Sequence, residues 1–259
     1  IDSGNKQRLE RFGKYILIRP ASQALWKPQE PKLWNEAHAV FKRDLPWKGV
    51  PQSWNISYRS VNLKLVPTNF GHLGIFPEHM QQWDWIESKL KPKSNILNLF
   101  GYTGATSLYL AKKGHSVCHV DAAKGIVEWA KQNAHLNNLQ SAPIRWIVDD
   151  ALKFLSREIK RKNVYDAVLL DPPSFGRGAQ GQVFKIERDL SSLLDLCKKV
   201  LKPIPDCILL TCHTPGISPL VLKNIVQQIF PKLFIDSGEM VVESEGLPLP
   251  LGIYAKCAQ

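Results

Sequence analysis

The 259-residue sequence predicts an α/β fold: a mostly parallel sheet wound with helices, preceded by a small β-rich region. Three observations lead there. From residue 81 onward, short apolar segments alternate with segments of helical period. Before residue 75 the chain is rich in proline and tryptophan and short of helical periodicity. Apolar residues make up 44% and charged residues 22%, an ordinary globular composition that excludes disordered and fibrous classes.

Along the first part, residues 15–19 are a short apolar run closed by Pro20 and read as a strand. Residues 37–41 and 54–58 are weaker strand candidates, and 61–66 alternates apolar and polar. Pro28, Pro31, Pro46, Pro51 and Pro67 punctuate them. Residues 83–90 then read as a helix and 95–100 as a strand. A helix over 105–113 stops before Gly114, and 116–120 is a strand. The amphipathic helix 123–137 leads to strand 144–148, and helix 151–162, with a basic outer face, to strand 165–170. Helix 185–201, strand 207–211 and helix 219–230 follow. Segments 234–243 and 253–257 are late strands whose tight Gly/Pro link predicts antiparallel pairing. Alternation at this spacing means right-handed βαβ units. The expected division is 1–75, a basic β-rich domain, and 76–259, an α/β domain.

The charge is less ordinary than the composition. Lys and Arg number 34 against 23 Asp and Glu, a net of +11. Residues 1–70 hold 12 basic and 5 acidic side chains, a net of +7 in about a quarter of the chain. Such a surface suits a polyanionic partner. No run approaches the ~18–20 apolar residues of a membrane span, and residues 1–11 lack the apolar core of a signal peptide. Cys118, Cys197, Cys207, Cys212 and Cys257 form no C-x-x-C pair, so free thiols in a reducing cytoplasm are expected.

Ligands of an open α/β sheet bind beyond the carboxyl ends of its strands. The first such end reads Asn98-Leu99-Phe100-Gly101-Tyr102-Thr103-Gly104-Ala105. Its glycines let backbone approach a ligand. Their spacing departs from the G-x-G-x-x-G of a dinucleotide fold and favours a ligand without a pyrophosphate. Asp121, twenty residues after Gly101, ends the second strand, where a carboxylate can accept bonds from ribose hydroxyls. Asp150 follows the third strand, where it could meet an adenine amine. Either aspartate could equally cap a helix, beginning at Ala122 or Ala151. Both together, beside the glycine turn, point to an adenosine-bearing ligand.

After the fourth strand stands Asp171-Pro172-Pro173-Ser174-Phe175-Gly176-Arg177-Gly178. Two prolines fix φ and remove two donors, leaving a stiff loop of acceptors. Such a set suits an amine or a base edge rather than a phosphate. Phe175 is placed to stack on an unpaired base. Gly176, Gly178 and Gly181 form a pliable stretch bearing Arg177, with Lys185 and Arg188 beyond it.

These motifs together resemble class I S-adenosylmethionine-dependent methyltransferases. More narrowly, they resemble the bacterial family that includes the 23S ribosomal RNA cytosine-C5 methyltransferases, without the PUA domain of its longer members. The resemblance runs from about Arg11 onward and includes Gly74-Ile75-Phe76-Pro77-Glu78, with His79 where the family often has Gln. It implies a Rossmann-like sheet of seven strands with the last antiparallel. It implies S-adenosylmethionine as cofactor and RNA, ribosomal in particular, as partner. The implied cofactor set is Phe76, Phe100, Gly101, Thr103, Gly104, Asp121, Asp150 and Asp171; Ala122 and Ala151 adjoin its second and third aspartates.

A nitrogen acceptor needs only its lone pair positioned, and Asp171, Pro172 and Pro173 can hold an amine. Carbon 5 of cytosine needs a transient bond at carbon 6, usually from a cysteine thiolate. Cys212, after the fifth strand, is the cysteine placed for that role; it is otherwise a small buried apolar side chain. His72 and His79 have no metal-ligand spacing, so no metal is expected. The two acceptor chemistries stay open, beside a non-RNA substrate or a non-catalytic RNA-binding assembly factor. If the charge serves RNA, neutralising basic residues within 1–70, or Arg177 with Lys185 and Arg188, weakens RNA binding. Each lost phosphate contact flattens the salt dependence by about 0.7–0.9 in log–log slope. Filter binding across a salt series measures this, with cofactor affinity unchanged.

Overall fold

The computed structural model describes residues 1–177, 181 and 183–258, and the chain divides into two units. One holds Ile1–Glu78 together with Val241–Leu251; the other holds His79–Met240 and the segment from Gly252 onward. The expected boundary at 75 thus falls at 78, and a late segment returns to the first unit.

In the first unit β1 (Asp2–Gly4), β2 (Gln7–Phe12), β3 (Tyr15–Pro20) and β4 (Ala39–Val40) lie side by side in that order. The first three pair antiparallel, and β4 is parallel to β3. β5 (Trp54–Tyr58) and β6 (Val61–Leu65) form a separate antiparallel hairpin. Asn5 and Lys6 (φ 52° and 62°) and Arg59 and Ser60 (43° and 69°) make two-residue turns with both residues left-handed. That geometry matches the twist of the paired strands. Val61, Leu63 and Leu65 are buried and alternate along β6 as the sequence indicated. The candidate strand 37–41 shrinks to two residues, and β1 and β2 are additions.

Asp2 ties the start of this unit together. Its Oδ1 accepts the N–H groups of Ser3 (2.8 Å) and Gln29 (3.3 Å), its Oδ2 those of Glu30 (3.0 Å) and the Trp34 indole (2.9 Å). Burial opposes the charge, but these four bonds outweigh it and hold the carboxyl below its ordinary value.

α1 (Pro77–Met80) and α2 (Trp83–Lys89) precede the larger sheet. That sheet is built from β7 (Asn95–Leu99), α3 (Ala105–Lys112), β8 (Ser116–Asp121), α4 (Lys124–Leu136), β9 (Ile144–Val148), α5 (Ala151–Lys160) and β10 (Ala167–Leu170). A small antiparallel hairpin of β11 (Phe175–Arg177) and β12 (Val183–Lys185) follows. Then come α6 (Ile186–Val200), β13 (Cys207–Cys212), α7 (Pro219–Ile229), β14 (Ile235–Val242) and β15 (Leu249–Ala258). The seven strands run β14-β15-β13-β10-β7-β8-β9. β13, β10, β7, β8 and β9 are parallel, and β15 is antiparallel to β13. This is the expected seven-stranded fold with its last strand reversed. The hairpin β11/β12 is the element the sequence did not indicate.

The core explains the apolar runs. Every residue of β10 and β13 is buried, because helices cover both faces of a parallel sheet. Phe154 and Leu155 of α5, Leu190, Leu193 and Leu194 of α6, and Leu222 and Val226 of α7 join one cluster with Leu97, Leu99, Val168 and Leu210. A fully buried leucine contributes roughly 1.5–3 kcal/mol. All five cysteines are buried and unpaired. Among the described residues no helix is long and apolar enough to cross a membrane.

The Asp2 carboxylate supplies a test. Its folded value is depressed, so its contribution is present above the unfolded pKa and lost as pH falls through the folded one. Asp2→Ala should cost about 1–3 kcal/mol at neutral pH by stranding buried N–H groups. Thermal melts of variant and parent should draw together on acidification.

Candidate active site

β7 ends in a turn the backbone resists. Phe100 (φ 55°) and Tyr102 (φ 53°) are left-handed without being glycine, and Gly104 (φ 86°) follows before α3. Such residues cost roughly 1–2 kcal/mol each and need outside support. Gly101 N–H donates to the Val120 carbonyl (3.0 Å), and Gly104 N–H to that of Gly101 (3.1 Å). The buried Asn133 side chain donates to the carbonyl of Thr103 (2.9 Å), itself 1% exposed. Gly101 lies directly over His119: a Cβ there would stand 2.5 Å from two ring atoms. His119 is buried within 3.0 Å of the Ser107 hydroxyl, which accepts from Asn98 (2.9 Å). Burial pushes its pKa down to about 3, so the ring beneath the turn is neutral. The sequence reading missed His119, Ser107 and Asn133; each lies within a strand or helix and carries no loop signal.

The two aspartates behave differently. Asp121 Oδ2 accepts the Tyr102 N–H (3.1 Å) and Oδ1 the Ala123 N–H (2.9 Å). Burial pushes its pKa up, against the pull of those two bonds. It does not cap a helix at Ala122, since α4 begins at Lys124 with no side-chain cap. Asp150 does cap: it precedes α5, whose first residue is Ala151, and accepts the Lys153 N–H at 3.0 Å. Phe76 belongs to the first unit, 5.4 Å from the His72 ring.

Asp171 follows β10 directly. Its Oδ1 accepts from the Thr211 hydroxyl (2.7 Å) and faces Nδ1 of His213 (3.2 Å); its Oδ2 lies 3.5 Å from Nε2 of His79. The two imidazoles stack at 5.1 Å, 18° from parallel. Burial would raise the carboxyl, but His79, His213 and Thr211 outweigh it and hold the pKa down to about 2. Spacing along the chain gave no hint of this trio. In space its nitrogens and oxygen lie within 4.8 Å of one another, the one such group of His, Cys, Asp or Glu side chains among the described residues. Pro172 is buried and Pro173 exposed. No hydrogen bond among the described residues ends on the carbonyl of Asp171, Pro172 or Pro173. Ser174 meets Thr214 hydroxyl to hydroxyl at 2.7 Å.

Cys212 is the last residue of β13, 1% exposed and part of the apolar core, its Sγ accepting the Thr214 N–H at 3.4 Å. Phe175 is half exposed rather than core, with the Arg177 guanidinium 5.8 Å from its ring centre. Lys185 is exposed. Arg188 is exposed too, but pairs with Asp189 (2.7 Å) and the Val183 carbonyl. Gly178 lies outside the described residues.

A family model described as S-adenosylmethionine-dependent methyltransferase matches residues 47–243, well over half of the chain. A ribosomal RNA large subunit methyltransferase K/L from Pseudoalteromonas atlantica is 36% identical over 181 residues, covering 66% of this chain and 25% of that protein. Its counterpart from Hahella chejuensis is 36% identical over 132 residues, covering 50% and 18%. The chain thus spans about a quarter or less of the length of these relatives. Among solved structures, an S-adenosylmethionine-dependent methyltransferase from Agrobacterium tumefaciens superposes with a TM-score of 0.95 at 36% identity, covering 100% of this chain and 89% of that one. With its glycine turn and its seven-stranded sheet, the chain belongs to the S-adenosylmethionine-dependent methyltransferase family.

Proposed function

We propose that the chain methylates a base nitrogen of ribosomal RNA. The observation that carries this reading is the acceptor loop at the end of β10. Pro172 and Pro173 have no N–H, and the carbonyls of Asp171, Pro172 and Pro173 receive no bond from the described residues. Such a row accepts from an amine and aligns its lone pair. The partner is argued from the name of the K/L relatives, the +11 charge and the exposed Phe175 beside Arg177. A carbon-5 acceptor finds less support, because Cys212 sits within the core.

The residues at the sheet edge fit S-adenosylmethionine. Asp121 spends one lone pair per oxygen on Tyr102 and Ala123 and keeps others for two ribose hydroxyls. The turn of Phe100, Gly101, Thr103 and Gly104 lets main chain approach the ligand, and Ala122 adjoins it. Asp150 and Ala151 open α5 and offer main chain rather than a free carboxylate. Phe76 is the residue of the set drawn from the first unit. The bound cofactor supplies an activated methyl group; the protein supplies alignment and water exclusion.

Gly101→Ala should push the turn off His119 and weaken S-adenosylmethionine binding at least about tenfold, roughly 1.4 kcal/mol or more by calorimetry. Unchanged affinity would remove the turn from the cofactor site. Transfer of labelled methyl to large-subunit ribosomal RNA from a strain lacking the modification, with mass spectrometry of the nucleosides, tests the reaction itself. An N-methylated base is expected; 5-methylcytosine would sink the nitrogen reading. Cys212→Ala should keep the rate within about twofold while costing roughly 0.5–3 kcal/mol of stability.

A further inference from the structure

We propose that His213, oriented by Asp171, accepts the proton that the methylated nitrogen sheds. This rests on the nitrogen-acceptor reading. As the new nitrogen–carbon bond forms, the carbon–sulfur bond breaks and its electron pair neutralises the sulfonium. The positive charge passes to the acceptor nitrogen. An amine relieves that charge by losing a proton, and a base within the site must take it before solvent does.

Asp171 is poorly suited to be that base. With its pKa held at about 2 it stays ionised and has negligible affinity for a proton at neutral pH. Its geometry suits a different task. Oδ1 stands 3.2 Å from Nδ1 of His213, so the carboxylate selects the tautomer with hydrogen on Nδ1. That leaves the basic lone pair on Nε2. The same carboxylate then stabilises the imidazolium that forms, as in any orienting carboxylate–imidazole pair. The Thr211 hydroxyl, at 2.7 Å on the same oxygen, fixes the carboxylate's rotation.

The surroundings are arranged around the ring. Gly252 of β15 leaves it room: a Cβ there would stand 3.1 Å from its Cδ2 and 2.5 Å from Met240 Cε. The titratable groups facing it in this unit are Asp171 after β10, His79 from α1 and Cys212 on β13. From β15, Gly252 and Ile253 bring none. His79 stacks on it and shares the carboxylate. A proton on one ring therefore disfavours a proton on the other, and the pair resists double protonation. Asp171 is thus a positioning residue, and His213 is the group that touches the reacting nitrogen's proton.

Two measurements test this. Long-range proton–nitrogen NMR on the cofactor-free protein should show His213 with Nδ1 protonated and Nε2 bare above neutral pH, and Asp171→Asn should disturb that assignment. The opposite tautomer would overturn the proposal without any turnover being measured. In single-turnover methyl transfer, the parent rate should fall on the acid side as one imidazole titrates. His213→Gln should lower the rate roughly 10²-fold and abolish that limb, with S-adenosylmethionine affinity unchanged. A variant that keeps both rate and limb overturns the proposal alone, and so does a rate lost to a chelator and restored by a divalent cation. A parent enzyme that methylates carbon overturns the nitrogen reading and this proposal together.

Discussion

Strand register is the constraint on which the site depends. Leu99 of β7 pairs with Val120 of β8 and Leu170 of β10, and Leu170 pairs in turn with Leu210 of β13. The next residue on each strand is Phe100, Asp121, Asp171 or Thr211. Four parallel strands therefore deliver the glycine turn, the two carboxylates and the hydroxyl at one level of one sheet edge. A slip of one residue in any strand would turn its terminal side chain to the opposite face. The buried faces of β10 and β13 forbid that slip, since it would exchange the sets of side chains packed against the two helical layers. Packing energy spread over the core thus fixes polar groups that contribute little to stability themselves.

At that edge the protein holds groups in states they would not adopt alone. Phe100 and Tyr102 keep left-handed backbones because Val120, Asp121 and Asn133 hold the turn around them. His119 stays neutral because it is sealed under Gly101. Asp171 stays ionised although burial opposes the charge, because two imidazoles and a hydroxyl converge on it. A site with these states set in advance avoids reorganising them during reaction, which is where much of an enzyme's advantage over water arises.

Much of this was legible in the sequence, and the rest was hidden for physical reasons. The parallel strands announced themselves because burial on both faces makes them continuous apolar runs. The glycine turn and the Asp-Pro-Pro loop carry backbone constraints that few residues satisfy. By contrast, β1 and β2 escaped notice because Asn5-Lys6 reaches a glycine-like turn without glycine. The hairpin of Phe175–Arg177 with Val183–Lys185 is too short to show a period. Asp121 and Asp150 look alike in sequence; only the helix starts, three residues after one and one residue after the other, separate ligand-facing carboxylate from cap. His79, Asp171 and His213 come from distant segments, and no spacing rule describes a cluster that exists only through folding.

The return of Val241–Leu251 to the first unit has a consequence for how the chain is assembled. Leu249 completes a small cluster with Ala21 and Ala24, and the Gln23 side chain donates to the Pro250 carbonyl across a sequence separation of 227 residues. The first unit is thus encoded early and finished late. During synthesis its opening strands must wait for nearly all of the intervening sheet, and closing so long a loop slows the step that completes them. The same discontinuity makes a cut after Glu78 an unsound way to isolate that unit, because the excised piece would lack the segment that closes it.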